Sequence, residues 1–163
     1  EGALPPRRGV PLLEIADGEG ALVLHLEDEP AGVFRSAAAA GILAGSRLEI
    51  IGRGPGHLRV AVENRVCELP LAVANAIQAE PCAPPAPVRP LSALAAGEQA
   101  RVAHISPALG GGERRRLLDL GLVPGTAIGR EFDSMLGSPT AYSVRGATIA
   151  LRKEQADRIF VEA

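Results

Sequence analysis

The sequence predicts a mainly β protein built as two small barrels in tandem. Three observations carry that prediction. Short strand-like runs are punctuated by Gly, Pro and Asp-Gly turns. A proline-rich spacer lies near the middle of the chain. The order of motifs before the spacer then restarts after it, at an interval of about eighty residues.

Composition bounds what these barrels can do. Apolar residues make up 47% of the 163 residues, but aromatics only 2%, with no Trp. The cores must therefore be built from Val, Ile, Leu and Ala, and ring-floored grooves for peptides or nucleic-acid bases are disfavoured. Net charge is −2, so nothing global points to nucleic acid or an anionic membrane. The halves differ mildly: residues 1–81 carry net −4 and residues 82–163 net +2. Cys67 and Cys82 have no metal-type spacing, and two thiols do not make a disulfide scaffold, so a reduced, cytoplasmic setting is expected. No apolar run reaches the ~20 residues of a spanning helix, and no signal peptide is recognisable. The chain begins at Glu1 with a loose Pro5-Pro6-Arg7-Arg8-Gly9 entry, which reads as a cut point inside a longer protein.

Residues 1–10 read as a linker and residues 11–80 as the first domain. Leu12-Leu13-Glu14-Ile15 is a short apolar turn closed at Asp17-Gly18, and Ala21 to Leu26 is a strand. Glu27-Asp28-Glu29-Pro30 ends that strand and suits a helix start, where Pro is tolerated and negative charge is favoured. The helix runs through Phe34 and the alanines to Gly41. Arg47 to Ile51 is a strand, Gly52 to Gly56 a turn cluster, and Leu58 to Val62 an alternating strand that returns through Val66 to Leu69. Leu71 to Asn75 is a helical turn, and Ala76 to Ala79 closes the domain.

Residues 81–89 form the Pro-rich linker, with Pro90 opening the second domain, 90–163. Leu91…Leu94…Gly97-Glu98 repeats Leu12…Ile15…Gly18-Glu19 at an offset of 79, and Gly121 and Gly125 repeat Gly41 and Gly45 at 80. Leu151, Ala156 and Ile159 repeat Leu69, Ala74 and Ile77 at 82. A small drift absorbed in turns is the mark of an internal duplication. Each copy thus has about five strands, one α-helix and one helical turn. The fullest helix signal is Arg114-Arg115-Arg116-Leu117-Leu118-Asp119-Leu120-Gly121-Leu122, whose leucines at helical spacing are expected to share one buried stripe before a Gly stop. Its arginines are placed near the helix start. Domains of this size bury limited cores and are individually marginal.

Residues 90–163 resemble the FeoA domain through Leu91…Leu94…Gly97, the helix just quoted, Pro124-Gly125-Thr126, Gly137-Ser138-Pro139, Val144-Arg145-Gly146 and Ile149-Ala150-Leu151-Arg152. Residues 11–80 resemble the related FeoA-like domain at the C-terminal end of DtxR-type metal-dependent repressors, through Ile15-Ala16-Asp17-Gly18-Glu19, Gly41-Ile42-Leu43-Ala44-Gly45-Ser46 and Asn64-Arg65…Glu68-Leu69. The resemblance implies two SH3-like β-barrels. It also implies one of two settings: a regulatory module of an iron- or manganese-dependent repressor, or an accessory factor of the FeoB ferrous-iron transporter. In the repressor setting the full-length protein is a homodimer whose DNA reader lies outside this chain, and the partners are protein surfaces or other domains of the same regulator.

Two clusters carry candidate chemistry. His25, Glu27 and Glu29 have donor types suited to Fe²⁺ or Mn²⁺, although no required cofactor is expected. The repressor pattern places a Gln three residues after the Glu, whereas Gly32 or Val33 stands there. Arg114, Arg115 and Arg116 are the candidate partner-binding group; the first copy has no such triplet. Cys67 aligns with Ile149 and is expected to be a buried thiol. No nucleophile–base pair, paired carboxylates or phosphate-binding fingerprint has a supporting context, so no enzyme activity is expected.

Overall fold

A computed structural model of the chain describes residues 9–27, 31–133, 135 and 137–163. It divides into two compact units, Glu1–Pro85 and Ala86–Ala163, each with its own core. In the first, β1 (Val10–Pro11) leads into a 3-10 turn at Leu12–Glu14, then β2 (Gly20–Leu26) and α1 (Ala31–Ala39). β3 (Arg47–Gly54), β4 (His57–Val62), β5 (Arg65–Pro70), α2 (Leu71–Asn75) and β6 (Ile77–Cys82) complete it. The second unit repeats this order with β7 (Val88–Pro90), a 3-10 turn at Leu91–Ala93, β8 (Gln99–Ile105), α3 (Gly111–Asp119), β9 (Ala127–Asp133), β10 (Thr140–Val144), β11 (Ala147–Leu151), α4 (Lys153–Ala156) and β12 (Ile159–Glu162).

The described residues of each unit form a six-stranded antiparallel sheet: β1-β6-β2-β3-β4-β5 in the first and β11-β10-β9-β8-β12-β7 in the second. The sixth strand is the short piece before each 3-10 turn, too brief to show alternation in sequence. Alternation does show elsewhere: in β4, Leu58, Val60 and Val62 are buried between more exposed neighbours, because successive side chains of a strand point to opposite faces.

The sheets extend into segments expected as turn and spacer. β3 continues to Gly54, leaving Pro55-Gly56 as a two-residue turn in place of the broader cluster, because Gly52, Arg53 and Gly54 all find partners on β4. β6 runs through Pro81 and Cys82, paired with Ala21 and Gly20. Pro81 is accommodated because β1 pairs only with Gln78 and Ala79, so at Pro81 β6 pairs on one side only and lacks no ladder donor. Gly20 makes this close approach possible: a Cβ there would lie 2.4 Å from the Ala83 carbonyl oxygen.

The helix–Gly–turn device is present in both copies. Gly41 and Gly121 have φ 78 and 94, the left-handed region that ends a helix at little cost only for glycine. The Ile42 and Leu122 amides then donate back to the Ala37 and Leu117 carbonyls, and both side chains are fully buried. The expected four-leucine stripe, however, is only half buried. Leu117 and Leu122 enter the core, whereas Leu118 and Leu120 are 38% and 39% exposed. Leu118 follows Leu117 by one position, about 100° round the helix, and Leu120 lies past the last regular turn.

Candidate functional site

The described helix face with the strongest interaction chemistry is the outer side of α3. Its first turn is Gly111-Gly112-Glu113, so the arginines sit further along than the sequence placed them, and Arg116 lies in the last turn, where a cation is favoured by the helix dipole. The triplet splits in role. Arg114 is half-buried, and its Nη1 donates to the carbonyls of Ile105 at 3.0 Å and Ser106 at 3.1 Å, which ties α3 to the end of β8. Arg115 and Arg116 remain exposed beside Leu118 and Leu120. Glu113, the acid of the first turn, accepts a 2.6 Å hydrogen bond from Gln155 Nε2. The outer face therefore presents two guanidinium groups and two leucines, with the Asp119 carboxylate one turn on from Arg115.

Of the expected metal cluster, only His25 and Glu27 are among the described residues. His25 is exposed on β2 opposite Gln78, and Glu27 is exposed just beyond the strand. Glu29 lies outside the described residues. Among the described residues no three His, Cys, Asp or Glu side chains come together as a metal-binding group. His104, the counterpart of His25, is half-buried and stacks on Phe160 with ring centroids 5.1 Å apart, a packing arrangement. Cys67 is half-buried against the first core, its Sγ 3.7 Å from the Ala40 carbonyl oxygen, while Cys82 lies in β6 and is half-buried rather than exposed in a spacer.

Two arginine anchors that sequence comparison missed hold the entrance of each unit. Arg130 Nη2 forks onto both Asp133 carboxylate oxygens at 2.7 Å, and its Nη1 donates to the carbonyls of Leu94 at 2.6 Å and Ser92 at 3.3 Å. Arg53 does the same in the first unit, pairing with Asp17 and donating to Leu13 at 3.0 Å and Ile15 at 2.6 Å. The two arginines are not at equivalent positions. Gly18 bonds the Ile50 carbonyl as Gly97 bonds that of Arg130, so Ile50 is the true counterpart of Arg130. The same 3-10 turn is thus secured from different places in the repeat. Only a search for arginines near the turn in space, not in register, could have found them.

Charge pairing sets an acid sensitivity in the second unit. Glu98 is held below the usual carboxylate range by the Arg89 hydrogen bond and the Ala95 amide. Asp133 is lowered by the Arg130 fork and the Thr140 hydroxyl. At Asp157 burial pushes the other way, but hydrogen bonds from Lys153 and Ser92 outweigh it and the net shift is downward. Groups with depressed folded pKa values contribute stability that is present above their unfolded values and lost as pH falls through the folded ones. Thermal unfolding of the second unit should therefore be insensitive to pH between about 5 and 9, and its midpoint should fall steadily below that range. A flat midpoint down to about pH 3 would contradict these pairings.

The fold defines a class: two SH3-like modules in tandem, each a six-stranded antiparallel sheet with short helices. The FeoA domain family matches residues 10–81 and 89–163, so the chain belongs to that family and carries two FeoA domains. FeoA domains are generally non-catalytic. The FeoA protein of Chlorobium tepidum is 36% identical over 45% of this chain and 68% of its own, with a TM-score of 0.42. A FeoA-like protein of Clostridium acetobutylicum is 33% identical over 47% of this chain and 86% of its own, with a TM-score of 0.42. A manganese-dependent transcriptional repressor is 26% identical over 50% of this chain but only 45% of its own, with a TM-score of 0.46. No curated protein matches the chain. Among the described residues no helix is long and apolar enough to cross a membrane.

Proposed function

We propose that the chain is a non-catalytic docking module of iron or manganese homeostasis, acting in the cytoplasm as the C-terminal FeoA-like part of a DtxR-type, metal-dependent repressor. The observation that carries this reading is divergence between two copies of one fold. Where α3 and the residue after it expose Arg115, Arg116, Leu118, Asp119 and Leu120, the equivalent positions of the first copy are Arg35, Ser36, Ala38, Ala39 and Ala40, the last half-buried against the first core. Both helices expose an apolar side chain and an arginine, Phe34 with Arg35 on α1, but only α3, with Leu120 just after it, adds a second arginine and a second large apolar residue. Such a division suits a regulator in which one module supports and the other docks on a protein surface, in the homodimer or in another domain. DNA reading would belong to a domain outside this chain.

The test is charge reversal. Arg115→Glu with Arg116→Glu should leave circular dichroism and thermal midpoint essentially unchanged, since neither side chain is buried, yet weaken metal-dependent repression by the full-length protein by about tenfold or more. Unchanged repression would remove α3 from the docking role. A second reading, an accessory factor of a FeoB-like transporter, is favoured by the FeoA assignment of both halves. It requires capture of that transporter by the chain under iron limitation, and a transporter-free pull-down counts against it. A metal at His25, Glu27 and Glu29 stays part of the proposal, with Fe²⁺ or Mn²⁺ suited to those donors. Titration of the chain with Mn²⁺ or Fe²⁺ that gives no heat above dilution would leave the cluster structural.

A further inference from the structure

The four strands that end the two sheets are guarded unequally. β1 has two residues, and β7 has three, including Arg89 and Pro90. β5 is longer but carries Arg65, Glu68 and Pro70. Short length, charge and proline are the ordinary means by which an edge is kept from pairing with another chain. β11 has none of them: it is Ala147-Thr148-Ile149-Ala150-Leu151, five residues in unbroken register with β10. Its counterpart β5 shows that this fold readily accepts charge and proline at the same edge.

The free groups of β11 follow from its register. Val144 and Ala147 flank the two-residue Arg145-Gly146 turn as a hydrogen-bonded pair, so Ala147, Ile149 and Leu151 bond to β10. Thr148 and Ala150 then direct their N–H and C=O groups away from the sheet. Both residues are exposed, and among the described residues no strand other than β10 pairs with β11. Arg145, whose side chain lies over Gly121, stands exposed at one end of this edge and Arg152 at the other, and neither forms an ion pair among the described residues.

We propose that β11 receives an extended, uncharged β-forming protein segment with acidic flanks, which adds to the sheet as a further strand. Backbone bonds to Thr148 and Ala150 supply the pairing, and Arg145 and Arg152 select carboxylates at the two ends. This site is separate from the α3 face and does not depend on its role. A second copy of β11 is a poor occupant in the register that pairs Thr148 with Ala150. Two-fold antiparallel pairing centred on Ile149 would set Arg145 against Lys153 of the other copy, and like charges facing each other across strands are destabilising.

The probe is an acetylated, amidated peptide of alternating Val and Thr with glutamates at both ends, titrated against the whole chain by fluorescence anisotropy and amide NMR. Saturable binding is expected, with the largest amide shifts at Thr148 and Ala150 and about tenfold weaker binding for a lysine-flanked peptide. Ala150→Pro removes an outward N–H without touching the β10 ladder, and should abolish binding while the spectrum of the sheet persists. Arg145→Glu with Arg152→Glu, which leaves the backbone intact, should invert the flank preference. The proposal is overturned by an absence of binding, by binding indifferent to both sets of variants, or by a dimer that forms through β11 in analytical ultracentrifugation.

Discussion

Tyr142→Ala should remove a large share of the second unit's stability, while the first unit keeps its structure. Tyr142 is 1% exposed and heads the largest fully buried side chains of the described residues, a member of the second core with Leu94, Leu122, Val144 and Ile159. Removing a buried ring costs about 3–5 kcal/mol in lost transfer energy and cavity. A unit of this size has about 4–12 kcal/mol in total. The first unit fills the equivalent place with Val60 and has a separate cluster of apolar residues, so its amides should stay protected. Hydrogen exchange read residue by residue checks this, with Tyr142→Phe as the volume-preserving control. Equal loss of protection in both units would show that the cores are not energetically separate.

Arg130→Ala is the second large effect, expected at about 1.5–2 kcal/mol once solvent screening of the Asp133 end is allowed for. The guanidinium satisfies two carbonyls of the 3-10 turn as well as a carboxylate, and truncation leaves those acceptors to whatever water can reach them. For a domain of this length the midpoint should drop by roughly 6–15 °C. Lys at this position should recover only part of the loss, because an ammonium cannot fork across a carboxylate and reach the carbonyls together. A change of less than about 0.5 kcal/mol would mean that the group behaves as a solvated surface pair.

Much of the fold was legible because it is written twice. Gly41 and Gly121, the paired 3-10 turns and the helical turn at Leu71–Asn75 all follow from local rules, and each was strengthened by its copy. What escaped was whatever departs from register. Arg53 and Arg130 secure the same turn from non-equivalent positions. Arg65 and Arg145 do the same at the helix ends: in each copy an arginine of the β-hairpin packs over the capping glycine, Arg65 from just after its turn and Arg145 from within it. Long side chains can reach one target from several backbone positions, so selection can move the arginine while keeping the contact. Side-by-side alignment is blind to that.

The candidate site was legible in part. The Arg triplet was identified, but sequence could not separate Arg114, which bonds to backbone at the end of β8, from Arg115 and Arg116, which face outward. Nor could it expose Leu118 and Leu120, since helical spacing alone assigned all four leucines to the core. The distinction depends on where α3 begins, and three glycines in a row carry little signal for that boundary.

If these two FeoA domains form the regulatory end of a metal-dependent repressor, as proposed, the coding sequence continues upstream of Glu1. Sequencing the gene upstream of the codon for Glu1 tests it most directly. An open reading frame continuing upstream in frame, through a dimerisation segment to a winged helix, is the predicted result. A start codon placed immediately before Glu1 would contradict it.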